Sequence, residues 1–383
     1  MDFALTDAQR SLQREVRRFA EHEIVPVAQT YDREERYPAE VMEQAAEMEL
    51  LGPNLPCAYG GADLDPVSLA IVMEELFAAD PGIALCITSA GFGAGAILEY
   101  GTDEQCKTFL PGIPAGDVVM GVAITEPDAG SDVTAIRTRA EREDDDWVLN
   151  GRKCWITNGS VGDQFLVLAE TDPHVDDRYL GYSMFLVEAD RDGVLADRIT
   201  GKLGVRASDT AELVFDDVRI PERNLIGTRG LGFAQLMTVF DRTRTMVAAQ
   251  GVGIARGAFE AARSFASERE QFGRPIAELQ AIRHKLAEMA MRIEAARTLA
   301  HRSAWSIDHA PDDLTLRASM AKAFGSEVAV DVADEAVQIH GAAGYVDAYD
   351  VSRFYRDAKV TQIYEGTTEI QYNIIARELL ADD

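Results

Sequence analysis

Apolar residues at Leu12, Val16, Phe19 and Ile24 recur at the spacing of one helix face, and the polar run before them, Thr6-Asp-Ala-Gln9, has the hydroxyl and amide of a capping box. Pro26 is expected to stop that helix. Asp65-Pro66 places a cap and a first-turn proline ahead of the periodic run Val67 to Ala79, and Thr102-Asp-Glu-Gln105 repeats the capping box. Near residue 119 the period shortens. Val118 to Thr125, Trp147 to Leu149, Lys153 to Thr157, Phe165 to Ala169, Tyr182 to Val187 and Ala211 to Val218 read as strands. Asn150-Gly151 is a hairpin signal between two of them, and Glu141 to Asp146 reads as a solvated loop. After Pro221 and the Gly227 to Gly232 stretch the helical period returns. Asp241 to Glu268, Ala277 to His309 and Leu314 to His340 are each long enough for an antiparallel bundle. The chain reads as mainly α with a central β domain, divided at 1–118, 119–228 and 229–383.

Composition narrows the function classes. The 65 acidic and 37 basic residues give a net charge of −28, with no Lys/Arg run, so a nucleic-acid partner is excluded by repulsion. Only six of the basic residues are lysine, a balance that resembles proteins of salt-loving microbes, where concentrated salt screens self-repulsion. No apolar run is long enough for a membrane span, and Met1-Asp-Phe-Ala-Leu-Thr-Asp lacks the pattern of a leader, so a cytoplasmic protein is expected. Cys57, Cys86, Cys106 and Cys154 have no metal or disulfide spacing and are expected to be buried packing residues; no metal site is expected.

Two segments carry candidate chemistry. Ala123-Ile-Thr-Glu-Pro-Asp-Ala-Gly-Ser-Asp-Val-Thr-Ala135 sets Thr125 and Ser131 around a glycine-permitted turn, so hydroxyls and bare N–H groups can face a polar ligand. Tyr364-Glu-Gly-Thr-Thr-Glu-Ile-Gln371 sets one carboxylate, Glu365, just ahead of a helix start. Upstream of it stand Gln338-Ile-His-Gly-Ala-Ala-Gly344 and Arg356-Asp-Ala-Lys359. Together these blocks resemble the two signatures of the acyl-CoA dehydrogenase family, and the order of helices, β module and long helices resembles it over the whole chain. The resemblance implies an N-terminal helical domain, a middle β-barrel or sandwich and a C-terminal four-helix bundle. It also implies FAD as cofactor, an acyl-CoA substrate, an electron-transfer flavoprotein as acceptor, and a homo-oligomer, expected to be a tetramer.

Residue by residue, the resemblance places the flavin against Val122, Ala123, Ile124, Thr125, Gly130 and Ser131, with Ser131 also reaching the substrate. Trp155, Ile156 and Thr157 would cover the flavin edge and N5, although a tryptophan beside Asn158-Gly159 equally suits a β core. Arg269, Gln271, Phe272 and Gln280 would reach the FAD of a neighbouring subunit, near Gln338, Ile339, Gly341 and Ala342. Asp241, Thr243, Arg244 and Tyr364 would line the acyl-CoA site; the alternative for Arg244 is a helix-surface ion pair. Glu365 would be the base for α,β-dehydrogenation, with Gly366, Thr367, Thr368 and Glu369 completing the cofactor side. Its own N–H and a ribityl hydroxyl would polarise the thioester carbonyl. Glu365 otherwise only favours a helix N-terminus by its charge. Some members carry the base at the position of Thr243, which cannot serve here. Thr367 or Thr368 is expected to cap the last helix, with Thr368-Glu-Ile-Gln371 a capping box.

Departures from the pattern are Ala342, where glycine is usual, and Ala348, where an acidic residue is common. Leu76 to Glu99, the expected acyl pocket, holds no Lys or Arg, which points to a neutral saturated acyl group rather than a glutaryl one. Gly251, Gly253 and Gly257 are read as helix packing, and His340 as a structural hydrogen-bonder. Gly91, Gly93 and Gly95 form a similar helical run, read either as small-residue helix contacts or as room for a substrate chain. An oxidase would be longer, a nitroalkane-oxidase-like relative would carry Asp at 365, and a DNA-protecting relative would need a basic face.

Overall fold

The computed structural model describes residues 4–381, so the first three residues of the leader reading and the last two of the chain lie outside it. Thr6 opens α1 (Asp7–Phe19) with both bonds of the capping box. Pro26 does not stop the helix. A π turn over Ala20–Ile24 passes directly into α2 (Val25–Glu34), placing the proline at the start of a helix, where its missing N–H is needed least. α3 (Ala39–Glu47), α4 (Pro66–Ala79), α5 (Pro81–Thr88), α6 (Ala94–Tyr100), α7 (Asp103–Phe109) and α8 (Gly112–Ala115) complete the layer. Asp65 caps α4, and the Thr102 to Gln105 box opens α7. The glycines from 91 to 95 are not one helical run. Gly91 bridges to Met120, and Gly93 turns at φ 114° with Met120, Val122 and Leu166 around it, so at Gly93 the missing side chain lets the helical layer sit on the sheet.

β1 (Met120–Ala123), β2 (Arg139–Glu143), β3 (Asp146–Thr157), β4 (Gln164–Glu170), β5 (Tyr182–Glu188), β6 (Val194–Arg198), β7 (Thr210–Pro221) and β8 (Leu225–Ile226) form one sheet ordered β6-β7-β3-β2-β4-β5-β8, with β1 parallel to β4. Along β4, Phe165, Val167 and Ala169 join a core with Trp147, Phe185 and Phe215, while Leu166 and Leu168 face Ile97, Ile113 and Leu236. Both faces are covered, which is why these strands read as unbroken apolar runs. Asn150-Gly151 is not a hairpin: β3 runs through it, with a register shift against β7 and the Asn150 amide bonded to Asp217. The turn falls at Asp144-Asp145, so the expected loop from Glu141 to Asp146 is the end of β2 and the start of β3. β6 is mostly exposed and β8 has two residues, so neither carried an alternating signal.

α9 (Gly232–Glu268), the short hairpin β9 (Glu270–Gln271) and β10 (Arg274–Pro275), α10 (Gln280–His309), α11 (Leu314–His340), α12 (Val351–Ala358) and α13 (Thr368–Leu380) follow. α9, α10 and α11 pack lengthwise, and α4 shares their core through Leu76, Phe77, Val252, Ala255, Val328 and Ala329. The α9 glycines permit this approach: a Cβ on Gly251 would lie 2.6 Å from Gly325 O, and one on Gly257 2.4 Å from Ala78 O. His340 bonds Ala336 O and stacks on Phe265, the structural role expected of it. Cys86, Cys106 and Cys154 are buried, but Cys57 is exposed on a one-turn 3-10 loop with no apolar period to bury it.

Candidate active site

The segment between α12 and α13 makes a sharp turn: Glu365 and Gly366 both take left-handed backbone, φ 53° and 86°. Such a conformation strains glutamate and persists only where the surroundings enforce it. Four contacts do so. Gln371 Nε2 donates to Glu365 O (3.1 Å) and to Gly366 O (3.0 Å), Lys322 Nζ donates to Gly366 O (2.7 Å), and Tyr364 OH donates to Gln250 Oε1 (2.5 Å). Thr367, not Thr368, caps α13 by accepting from Ile370 N–H. The expected Thr368 to Gln371 capping box does not form, because Gln371 is turned inward onto the carbonyls of the preceding turn.

Glu365 Oε2 accepts from Thr243 Oγ1 at 2.7 Å, across from α9. Arg244, the next residue, is buried and bound to Asp241 at 2.6 Å, and Asp241 in turn accepts from Thr315. Asp241, Thr243, Arg244, Tyr364 and Glu365, expected to line one site, therefore do meet. Arg244 makes an ion pair along α9, as the alternative reading required, but it is buried rather than superficial and its Nε has no partner. Burial pushes the Glu365 carboxyl above its ordinary range, against the Thr243 hydrogen bond and the charges of Arg244 and Lys322. The Glu365 N–H donates to no group among the described residues.

At the other motif, Val122, Ala123 and Ile124 are buried, so only their backbone can face a ligand. Glu126 folds the turn that follows: its carboxylate accepts from Arg137 N, Thr138 N and Lys153 Nζ, while Lys153 also donates to Ile124 O. Cys154 N–H donates to Thr125 O (2.9 Å), bringing β3 alongside. A register shift between Lys153 and Ile156 gives Trp155 φ 60° and leaves its side chain 65% exposed. This is a bulge re-aiming a side chain, and it excludes the β-core reading of Trp155. Ile156 is buried, Thr125 and Thr157 are half-buried, and Gly130 and Ser131 are exposed with open space beside Gly130.

The remaining candidates lie apart. Arg269, Gln271 and Phe272 stand on the β9–β10 hairpin with Phe272 90% exposed; Gln280 begins α10; Gln338, Gly341 and Ala342 are exposed at the end of α11, and Ile339 is buried. Among the described residues, no hydrogen bond or ion pair ties these to the turns at 125 or 365. Gly366, Thr367 and Thr368 are half-buried and Glu369 exposed; the Thr368 hydroxyl is a buried donor with no partner. An exposed tryptophan, open glycines, half-buried hydroxyls and an orphaned hydroxyl fit a flat dinucleotide with polar edges, and FAD is such a group. Among the described residues there is no cluster of His, Cys, Asp or Glu placed for a metal and no helix long and apolar enough to cross a membrane. The roles of Lys322, Lys153, Glu126 and Gln250 were not expected from the sequence, and Gln371, expected in a capping box, instead clamps the Glu365 turn. Lys322 alone left a signal, a rare lysine inside the apolar run Met320 to Phe324.

Three acyl-CoA dehydrogenase domain models match: the N-terminal domain over residues 6–117, the middle domain over 121–218 and the C-terminal domain over 230–380. The chain is 40% identical to the probable acyl-CoA dehydrogenase YngJ of Bacillus subtilis, covering 99% of this chain and 100% of the relative. A chain solved in work on the electron transferring flavoprotein of Acidaminococcus fermentans superposes with a TM-score of 0.96 at 38% identity, covering 100% of each. Butyryl-CoA dehydrogenase from Megasphaera elsdenii gives 0.94 at 36% identity, again over 100% of both chains. On this full-length agreement of sequence and fold, the chain belongs to the FAD-dependent acyl-CoA dehydrogenase family.

Proposed function

We propose that this enzyme removes hydrogen from the α and β carbons of a neutral saturated acyl-CoA, giving the trans-2-enoyl-CoA, with Glu365 as the base. The observation that carries this reading is the Glu365 carboxylate, held in an enforced left-handed turn, with a single hydroxyl donor at 2.7 Å and its N–H unused. The carboxylate takes the proton alpha to the thioester carbonyl, so the Cα–H bond breaks as an O–H bond forms on Glu365. The Glu365 N–H donates to the carbonyl oxygen as enolate charge develops. Bound FAD supplies the acceptor for the hydride that leaves the β carbon. Thr243 orients the carboxylate. In support, a structural relative at 36% identity is a butyryl-CoA dehydrogenase, and another comes from work on an electron transferring flavoprotein, the class of acceptor we assign. The segments around Arg269 and Gln338 are assigned to FAD of a second subunit in a cytoplasmic homo-oligomer, with a tetramer as its form.

Anaerobic mixing of the yellow holoenzyme with acyl-CoAs of graded length tests this directly. Bleaching is expected with straight saturated chains, and the Glu365→Gln enzyme, which keeps the N–H but not the proton acceptor, is expected to bind the same ligands and bleach slower by orders of magnitude. Parent-like bleaching in that variant removes Glu365 as the base.

A further inference from the structure

Lys322 lies about a third of the way along α11, wholly buried, in a stretch whose neighbours are Ala321 and Ala323. Its ammonium donates to Gly366 O at 2.7 Å, and among the described residues no carboxylate comes within 4.0 Å to form an ion pair. A buried ammonium with one neutral acceptor is costly, and a methionine of similar length would fill the space without that penalty. Packing therefore does not account for the lysine. Its surroundings do: the carbonyl it holds belongs to the residue after Glu365, and its charge acts on the Glu365 carboxylate. The other groups facing Glu365 are Thr243 and Arg244 from α9, with Asp241 offsetting the arginine, and Tyr364 on its own segment; Glu369 and Arg377 of α13 act on Lys322 and Arg244.

We infer that Lys322 is a positioning residue for the base: anchored on the Gly366 carbonyl, it fixes the left-handed turn and adds, beside Arg244, a positive charge that favours the ionised Glu365 carboxylate. Both cations act on Glu365, but Arg244 is ion-paired with Asp241, whereas Lys322 makes no ion pair among the described residues. The inference rests on Glu365 being the base.

The test compares holoenzymes carrying Lys322→Met, which keeps length without charge, and Lys322→Arg, which keeps the charge. The infrared band of protonated Glu365, identified by its loss in Glu365→Gln, is titrated alongside the acid limb of flavin reduction. In Lys322→Met both midpoints are expected to rise by roughly half a pH unit, the effect of removing one of two cations acting on the carboxylate from a distance, so reduction below the limb falls about threefold. Lys322→Arg should leave both near the parent. A band that stays put in folded Lys322→Met overturns the proposal. A band that moves while the flavin limb does not overturns instead the assignment of Glu365 as base. If Lys322→Met fails to fold, Lys322→Gln is read in its place; failure of both neutral variants to fold, with Lys322→Arg folded, makes the lysine a structural prop and also overturns the proposal.

Discussion

The turns at 126 and 365 present the same residue, glutamate, in opposite states. Glu126 accepts two backbone N–H groups and the Lys153 ammonium; burial alone would raise its pKa, but these partners outweigh burial and lower it. Glu365 has one hydroxyl donor and two cations that reach it only at a distance, and there burial prevails, so its pKa is raised. A carboxylate with both oxygens engaged by donors is a structural post, and one left under-satisfied is available to take a proton. The same contrast holds for the ground around each. The 126 turn is stitched from behind while Trp155, Gly130 and Ser131 stay open for a ligand; the 365 turn is clamped on its carbonyls and open only at the carboxylate and N–H.

The comparison breaks most visibly at Glu365. Its replacement by Gln should slow flavin reduction by roughly 10²–10⁴-fold, the usual range for one general base, with little loss of stability. As the proposed base, Glu365 would act only when ionised. Its raised pKa places the acid limb of flavin reduction above the ordinary carboxylate range, with rate lost as pH falls through it. Glu126→Gln should do the reverse. It leaves the Lys153 ammonium buried without a carboxylate, at a cost of about 3–5 kcal/mol in denaturant unfolding, and the yellow colour should be lost on dialysis. Unfolding free energies equal to the parent would break the distinction between post and base.

A glycine pair sharpens it further. Gly366→Ala puts a side chain at φ 86° with its Cβ 2.7 Å from Gln371 Nε2, and about 1–3 kcal/mol of strain is expected. Gly130→Ala meets nothing within 4 Å and should stay within about 0.5 kcal/mol of the parent. Arg269→Ala should weaken FAD retention although it touches neither turn, and mixing it with Glu365→Gln should restore activity in verified mixed oligomers; no recovery counts against shared sites. The smallest effect concerns neither turn. With a net charge of −28, self-repulsion should lower Tm in millimolar relative to molar salt, and an unchanged Tm removes the reading of the acidic surface as a salt adaptation.

Local signals were legible wherever a residue acts on its own neighbours. The boxes at Thr6 and Thr102 and the Asp65 cap are satisfied within four residues, and each formed as read. The misreadings share the opposite cause. Asn150-Gly151 has the chemistry of a turn, but β7 pairs on both sides of it and carries the strand through. Gln371 has the spacing of a capping partner, yet the two carbonyls of the Glu365 turn draw it away.

The sequence by itself determined the family, the order of helices and strands and the identity of the candidate base, because those depend on periodicity and on residues adjacent along the chain. Only the tertiary structure decided which glutamate is a post and which is free, that Trp155 faces outward, and that Lys322 stands behind Glu365. Those outcomes turn on donors from segments up to 122 residues away, and the state of a buried charge is set by what surrounds it in space.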